Sequence, residues 1–573
     1  MLWALILRAK TLNNLRSGNL EYTPWPESFV SRYKSEGIWT EQTLDTLLQP
    51  HLCDNKTAVI DDHISWTYKE LEEKSNYLAL KLRKKNINQG DKVVVHLPNS
   101  CALFELLFAL FKIGAHPIMA LPSHRLNEVS YFCEFTKAKA YIGAKQSSNS
   151  FGNSILTSLL EDKLIDFGLL VELDDNFISI AEYLNIDTAN SQLNKTHISA
   201  SDIALFQLSG GTTGVPKLIP RTHYDYVYSV LASNQICNIS KDTVYLAVLP
   251  VCHNFPMSSP GALGVFAAGG TLVLSNSGAP DNAFSLIEHH KITITALVPP
   301  LAITWMNTFE NQVIKSDISS LEVLQVGGAK LSCEAAKRVS PILGCTLQQV
   351  FGMAEGLVNY TRLNDDLETI SNTQGRPISV FDEVKILDDE DNLAPTGTTG
   401  HLLTRGPYTI RGYYKAPIHN LKSFTEEGFY RTGDLAKQTD EGYLIVEGRS
   451  KDQINKGGEK IAAEELENYL LEHKDILDAS VVAMPDEYLG ERICAFIITK
   501  NNIETPLKAI QVNKFLRNKQ LAEFKYPDRF EFLKNFPKTK FGKVDKKALR
   551  LMIAQKLTKL SEQFSNSPLA VKG

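Results

Sequence analysis

From Trp66 onward the apolar positions alternate between helical and strand spacing. The segment TYKELEEKSNYLALKLRKK places Leu71, Leu78, Leu80 and Leu82 in one broad stripe, which predicts an amphipathic helix. INQGDKVVVHLPNS follows, a turn and then a β-branched run that reads as a buried strand. An apolar helix over 102–113 and a short strand in HPIMALP continue the pattern. Further strands are expected in AYIGA, TVYLAVLP, GGTLVLS and ITALVPP, as far as about Pro300. Such alternation predicts an α/β fold of parallel sheets covered by helices.

The texture changes after about Arg376. EVKILDDEDNLAPTGTTGHLLTRG and GYLIVEG read as short strands divided by Gly, Asp and Pro turns, the signature of a small antiparallel, β-barrel-like subdomain. GRSKDQINKGGEK then combines charge with glycine, as an exposed joint would. Beyond it a compact α+β segment is expected: a helix over 462–473, strands in ASVVAMP and RICAFIIT, a helix over 512–521 and a strand in RFEFL. A boundary near Lys451 divides the chain into a large N-terminal domain, 21–450, and a small mobile C-terminal lid, 451–573. Residues 1–20 read as a loose extension and LSEQFSNSPLAVKG as a frayed tail.

Composition agrees with more than one domain, since 573 residues exceed the roughly 250–300 at which a single core stops growing. Hydrophobic residues at 43% and charged residues at 22% exclude a mainly disordered or fibrous chain. Lys+Arg 60 against Asp+Glu 65 leaves −5, which offers no electrostatic footprint for nucleic acid. The apolar run 103–113 is broken by Glu105 and Lys112, and no stretch approaches the roughly 20 apolar residues of a membrane span. The eight cysteines are scattered without a CxxC pair, so they read as buried small hydrophobes in a reducing cytosol. MLWALILRAK is a poor signal peptide, and a cytoplasmic protein is expected.

The densest candidate chemistry is LSGGTTGVPK at 208–217. Gly210, Gly211 and Gly214 let the backbone turn and bring N–H groups to an anion. Ser209, Thr212 and Thr213 add hydroxyl donors and Lys217 a positive charge, a set suited to a polyphosphate. The plainer alternative is a surface hairpin. It is not a Walker A loop, because Pro216 stands where that loop requires Gly. This departure counts against transfer of a terminal phosphate.

With four further motifs in order, QVFGMAEG at 349–356, YRTGDL at 430–435, GRSKDQINKGGEK at 448–460 and PKTKFGKVD at 537–545, the chain resembles the adenylate-forming superfamily over about Glu21 to Ala554. That superfamily includes acyl-CoA synthetases, peptide-synthetase adenylation domains and luciferases. Within it, YTPWPESFVSRY, HNFPMSSPGALG at 253–264 and QVGGAKLS are most similar to the aryl-acid AMP ligases of siderophore biosynthesis.

The resemblance implies ATP and Mg²⁺ as cofactors, and it implies roles. The 209–217 loop would hold the β and γ phosphates, Glu355 would ligate Mg²⁺, and Phe351 would pack on adenine, with Gly328, Ala329, Val350 and Gly352 completing the nucleotide site. Asp434 would accept from both ribose hydroxyls, with Arg449 a second contact. Lys543 would come in from the lid to offset charge at the α-phosphate, Lys451 would be the hinge, and Lys456-Gly457-Gly458-Glu459 would face the site for a second, thiol-accepting step. Locally each has a plainer reading: core packing for Phe351, a surface carboxylate for Glu355, an ordinary turn for Asp434, a solvated basic tail for Lys543.

For the acid, the resemblance implies a pocket of His253 (also a catalytic candidate), Asn254, Phe255, Ser259, Ala329, Val350 and Val358. Amino-acid-activating relatives carry Asp where this chain has Asn254; burying an ammonium without a counter-charge costs several kcal/mol, which argues against an amino acid. An amide suits a phenolic hydroxyl, and Ser259 a second one, so 2,3-dihydroxybenzoate is expected over salicylate. The expected acceptor is the phosphopantetheine thiol of a separate aryl carrier protein. An aromatic acid–coenzyme A ligase shares every motif, whereas a bare nucleotide-binding module has no need of the intact set Lys217, Glu355, Asp434 and Lys543.

Overall fold

The structure is a computed structural model that describes residues 21–53, 55–145, 151–187, 197–209, 216–311, 315–331, 333–388, 390–449, 453–500, 506–537 and 544–565. It has an α/β fold with two large sheets, a small antiparallel sheet and a C-terminal α+β unit. The first sheet has nine strands; its six central ones, from Thr346–Met353 through Val323–Gly327, Ile294–Leu297, Val244–Ala247 and Thr271–Leu274 to Thr57–Ile60, run parallel. The second has six strands, parallel except for its final hairpin, Ile203–Ser209 with Lys217–Thr222. The strands anticipated before Pro300 all lie here. Their near-continuous apolar character follows from helices covering both faces.

The helix Cys101–Ile113 shows how the apolar run with two charges is accommodated. All its residues are buried, as a helix apolar on every side must be. Lys112 donates to Glu72 at 2.6 Å on the neighbouring helix Tyr68–Lys84. Glu105 accepts from Ser179 Oγ at 2.5 Å and Ile180 N at 2.9 Å, and burial pushes its carboxyl up to about 7. Of the two groups that rule out a membrane segment, Lys112 is thus ion-paired and Glu105 hydrogen-bonded inside the core. Among the described residues, no helix is long and apolar enough to cross a membrane. The eight cysteines are free, and all but Cys53 and Cys333 are buried.

The expected barrel-like part is a four-stranded antiparallel sheet, Glu383–Leu387, Gly400–Arg405, Tyr430–Gln438 and Leu444–Arg449. The C-terminal unit builds a five-stranded sheet with its own core of Ile454, Leu466, Val481, Ile493, Val512 and neighbours. Its last helix, Lys546–Ser565, extends through LSEQFS, so the reading of that stretch as frayed is corrected: it continues the turns begun at Lys546.

Candidate active site

A cavity of about 630 Å³ opens where the C-terminal ends of the large sheet meet the small sheet and the lid. This is where open α/β sheets bind ligands, since the loops leaving the strand ends diverge there. The strand Val323–Gly327 delivers Gly328, Ala329 and Lys330 to the wall, and the strand Thr346–Met353 delivers Val350, Phe351 and Gly352. Ser209 and Lys217 face each other across the hairpin of the second sheet, and both line the cavity. The glycine-rich turn joining them, with Gly210, Gly211, Thr212, Thr213 and Gly214, lies outside the described residues, as do Lys451 and Lys543.

Glu355 is buried and lines the cavity. Its carboxylate accepts from the Tyr413 hydroxyl at 2.7 Å, which lies 2.8 Å from that of Tyr430. The Lys217 ammonium sits 5.2 Å from the centre of the Tyr413 ring. Asp434, also buried, opposes Arg449 in the register of the small sheet, and its N–H donates to Thr432 Oγ1 at 3.0 Å. Tyr413 had no sequence signal: its role comes from a hydroxyl that reaches Glu355 across 58 positions.

At the other end lies the short helix Asn254–Ser258, whose N-cap is His253. His253 Nδ1 accepts from Phe255 N at 3.4 Å and the ring is exposed at the cavity rim. Asn254, Phe255 and Ser259 line the interior, and Asn254 is only 6% exposed. Asn254 Oδ1 accepts from Tyr226 OH at 2.9 Å and from Ser258 Oγ at 3.2 Å. Val358 does not line the cavity; it packs behind the wall with Val350, Ala232, Cys237 and Tyr408. Val358 pairs with Gly352 and so shares the face of Val350, but it stands one strand further along the sheet, with Val350 between it and the opening.

The lid closes the third side. Its hairpin Gln453–Lys456 with Glu459–Ala462 turns at Gly457 and Gly458, and Gly458 lies against Val298 and Gly328. At φ +96° and with a Cβ that would fall 3.0 Å from Val298 Cγ1, position 458 suits only glycine. Asn455 Nδ2 donates to Gly328 O at 3.2 Å. From the end of the lid, Phe524, Lys525 and Arg550 also line the cavity.

The family model for AMP-binding enzymes matches residues 49–414, and that for the AMP-binding enzyme C-terminal domain matches 465–543. The chain belongs to the AMP-binding enzyme family. This AMP-binding enzyme is 52% identical over 539 residues to the 2,3-dihydroxybenzoate-AMP ligase of Bacillus subtilis (strain 168), across 94% of this chain and 98% of that protein. It is 49% identical over 539 residues to the vibriobactin-specific 2,3-dihydroxybenzoate-AMP ligase of Vibrio cholerae, across 92% and 97%. Among solved structures it matches the apo structure of MbtA from Mycobacterium smegmatis with a TM-score of 0.70 and 40% identity, over 93% of this chain and 98% of that one. As an adenylate-forming enzyme it uses ATP.

Proposed function

We propose that this enzyme activates 2,3-dihydroxybenzoate with ATP and then passes the aryl group to the phosphopantetheine thiol of a separate aryl carrier protein in siderophore biosynthesis. In the first step the carboxylate oxygen attacks the α-phosphorus, the bond to the bridging oxygen breaks and pyrophosphate leaves. In the second the thiolate sulfur attacks the acyl carbon and AMP leaves. The single observation that carries the reading is a neutral carboxamide, Asn254, buried at the closed end of the cavity that Asp434, Glu355, Phe351 and Lys217 also line. An amino-acid ammonium would find no counter-charge at that position, whereas a phenolic ring finds a hydrogen-bonding partner. The printed names of the two ligases of about half identity support the same acid.

On this reading Asp434 holds the ribose diol, Phe351 the adenine, and Ser209 and Lys217 the phosphates, which is supported by all four lining one cavity, with Arg449 opposite Asp434 in the register. Glu355 fits a Mg²⁺ that accompanies the nucleotide: it is a buried carboxylate that faces the cavity, and one of its acceptor positions is used by Tyr413. Among the described residues no cluster of three or more metal-ligating side chains exists, as expected for an ion held largely by phosphates and water. When bound it would neutralise phosphate charge. Lys543 would supply its ammonium during adenylation, and the lid arrangement described above, with Gly457-Gly458 at the cavity, suits the thiol-accepting step.

The test is acid-dependent exchange of labelled pyrophosphate into ATP with 2,3-dihydroxybenzoate, salicylate, benzoate and several amino acids. Exchange is expected to be fastest with 2,3-dihydroxybenzoate. Exchange with amino acids, or with no aryl acid, refutes the proposal.

A further inference from the structure

The polar groups behind Asn254 do more than fill space. Tyr226 sits on the helix His223–Cys237 with its side chain wholly buried. Its ring lies 4.7 Å beneath the Arg221 guanidinium, itself locked to Asp225 at 2.7 Å, so the ring has little freedom to shift. Its hydroxyl accepts from Gln207 Nε2 at 3.2 Å and donates to Asn254 Oδ1 at 2.9 Å. Ser258 Oγ is 3.2 Å from the same Oδ1 and 3.2 Å from the Asn254 backbone oxygen, so its one proton is shared between them. The Asn254 side-chain carbonyl thus takes the Tyr226 proton and part of the Ser258 proton from behind. The –NH₂ is what remains for the cavity.

This polarity has a chemical consequence. In a 2-hydroxybenzoate the hydroxyl proton is engaged by the neighbouring carboxylate, so the oxygen presents a lone pair outward and requires a donor. In a 2-aminobenzoate one N–H satisfies the carboxylate and the second points outward, requiring an acceptor. An amide held with –NH₂ forward serves the first and opposes the second. A site built around one hydrogen-bonding pattern rejects the wrong pattern strongly, because a buried polar group is left unpaired.

We propose that Tyr226 and Ser258 are positioning residues that set the direction of the Asn254 carboxamide, and that this direction selects aryl acids whose ortho substituent accepts a hydrogen bond. The inference rests on the proposed function, in which Asn254 meets the ortho group.

The experiment uses the full chain and compares kcat/KM in pyrophosphate exchange for salicylate, 2-aminobenzoate and benzoate, in the parent protein, Tyr226→Phe and Ser258→Ala. In the parent, salicylate is expected to exceed 2-aminobenzoate by about 100-fold or more. Tyr226→Phe keeps the ring but frees the amide to turn, so the ratio should fall at least tenfold, mainly through KM, with benzoate little changed. Ser258→Ala, which acts on the same carbonyl from another element, should lower the ratio in the same sense and covers the case of a poorly folded Tyr226→Phe. Equal losses for all three acids, leaving the ratio unmoved in both variants, would overturn the orienting role alone. A parent protein inactive with every aryl acid would instead overturn the functional reading and this inference with it.

Discussion

At the aryl end of the cavity the hydrogen bonds that hold Asn254 are neutral: Gln207 donates to Tyr226, Tyr226 and Ser258 donate to Asn254, and all four side chains are buried in the large domain. At the seam with the lid the buried contacts are charged. Lys525 Nζ lies 3.1 Å from Glu128 Oε1 across the seam and 2.9 Å from Glu465 Oε1 within the lid, and these three residues are 5%, 4% and 9% exposed. Burial works against the Lys525 ammonium, but the two carboxylates hold its pKa above the ordinary value. Asn127 Nδ2 to Lys519 O, at 2.5 Å, and Asn455 to Gly328 are the neutral links beside it. Neutral hydrogen bonds suit a wall that keeps one shape. Charged groups regain hydration on separation, so in the proposed two-step function this contact can be strong when docked and still release. A pocket wall and a seam between domains thus carry different chemistry at the same cavity.

The widest separation between the two regions is expected from Lys543→Ala. Removing an electrostatic stabiliser of the reacting phosphate should lower adenylation by roughly 10²–10³-fold. Thiol transfer from preformed aryl-AMP, which uses the other lid arrangement, should be largely retained; single-turnover assays of each step read the split. Equal loss in both would contradict a lid that changes its face.

Next in size is Lys525→Met. It leaves Glu128 and Glu465 buried without their cation, a change that costs ~3–5 kcal/mol when a buried pair is broken. Thiol transfer is predicted to fall tenfold or more while pyrophosphate exchange changes less, because the docked arrangement loses its latch. A fall in exchange as large as in transfer would mean that the triad stabilises the enzyme generally.

The smallest effect concerns pH. His124 lines the cavity at the seam, is buried, and its Nδ1 accepts from Leu121 N at 3.0 Å. Burial first, and then the positive charges of Lys525, His96 and Arg125, hold its pKa well below the ordinary 6.5, although Glu128 and Glu465 flank Lys525. A folded value below the unfolded one contributes stability above about pH 6.5, which is lost as pH falls toward the folded value. His124→Gln should therefore flatten part of the fall in melting temperature between pH 6.5 and 5. An unchanged slope would remove His124 from the pH response, leaving it to other buried histidines such as His96 and His223, whose pKa values burial lowers to about 4 and about 3.

Much of this architecture was legible in the chain. The helix at Tyr68–Lys84 was marked by its apolar stripe, and the structure adds a cap that the stripe does not show, the Glu70 N–H donating to Thr67 Oγ1 at 3.2 Å. The buried strands were marked by β-branched runs, and the change to short strands after Arg376 marked the small sheet. The cavity wall was legible because its motifs are contiguous: Gly328 and Ala329, Val350 to Gly352, and Asn254 with Phe255 each arrive as neighbours. Val358 was read as wall and packs behind Val350 instead, since which strand of a hairpin lies nearer the opening leaves no mark in composition. Tyr226 stands between Tyr224 and Tyr228, and nothing local shows which of the three hydroxyls reaches an amide 28 positions away.

The sequence alone thus determined the order of elements, the division near residue 451 as an expectation, and the chemical identity of the groups offered to ligand, because periodicity and motif spacing are properties of neighbouring residues. Only the tertiary structure decided which hydroxyls hold the Asn254 side-chain carbonyl, that Ser179 meets Glu105 and Glu72 meets Lys112, and that Lys525 closes on Glu128 from 397 positions away. Those outcomes depend on distances between segments that meet only after folding, and hydrogen bonds and buried ion pairs are decided over a few tenths of an ångström.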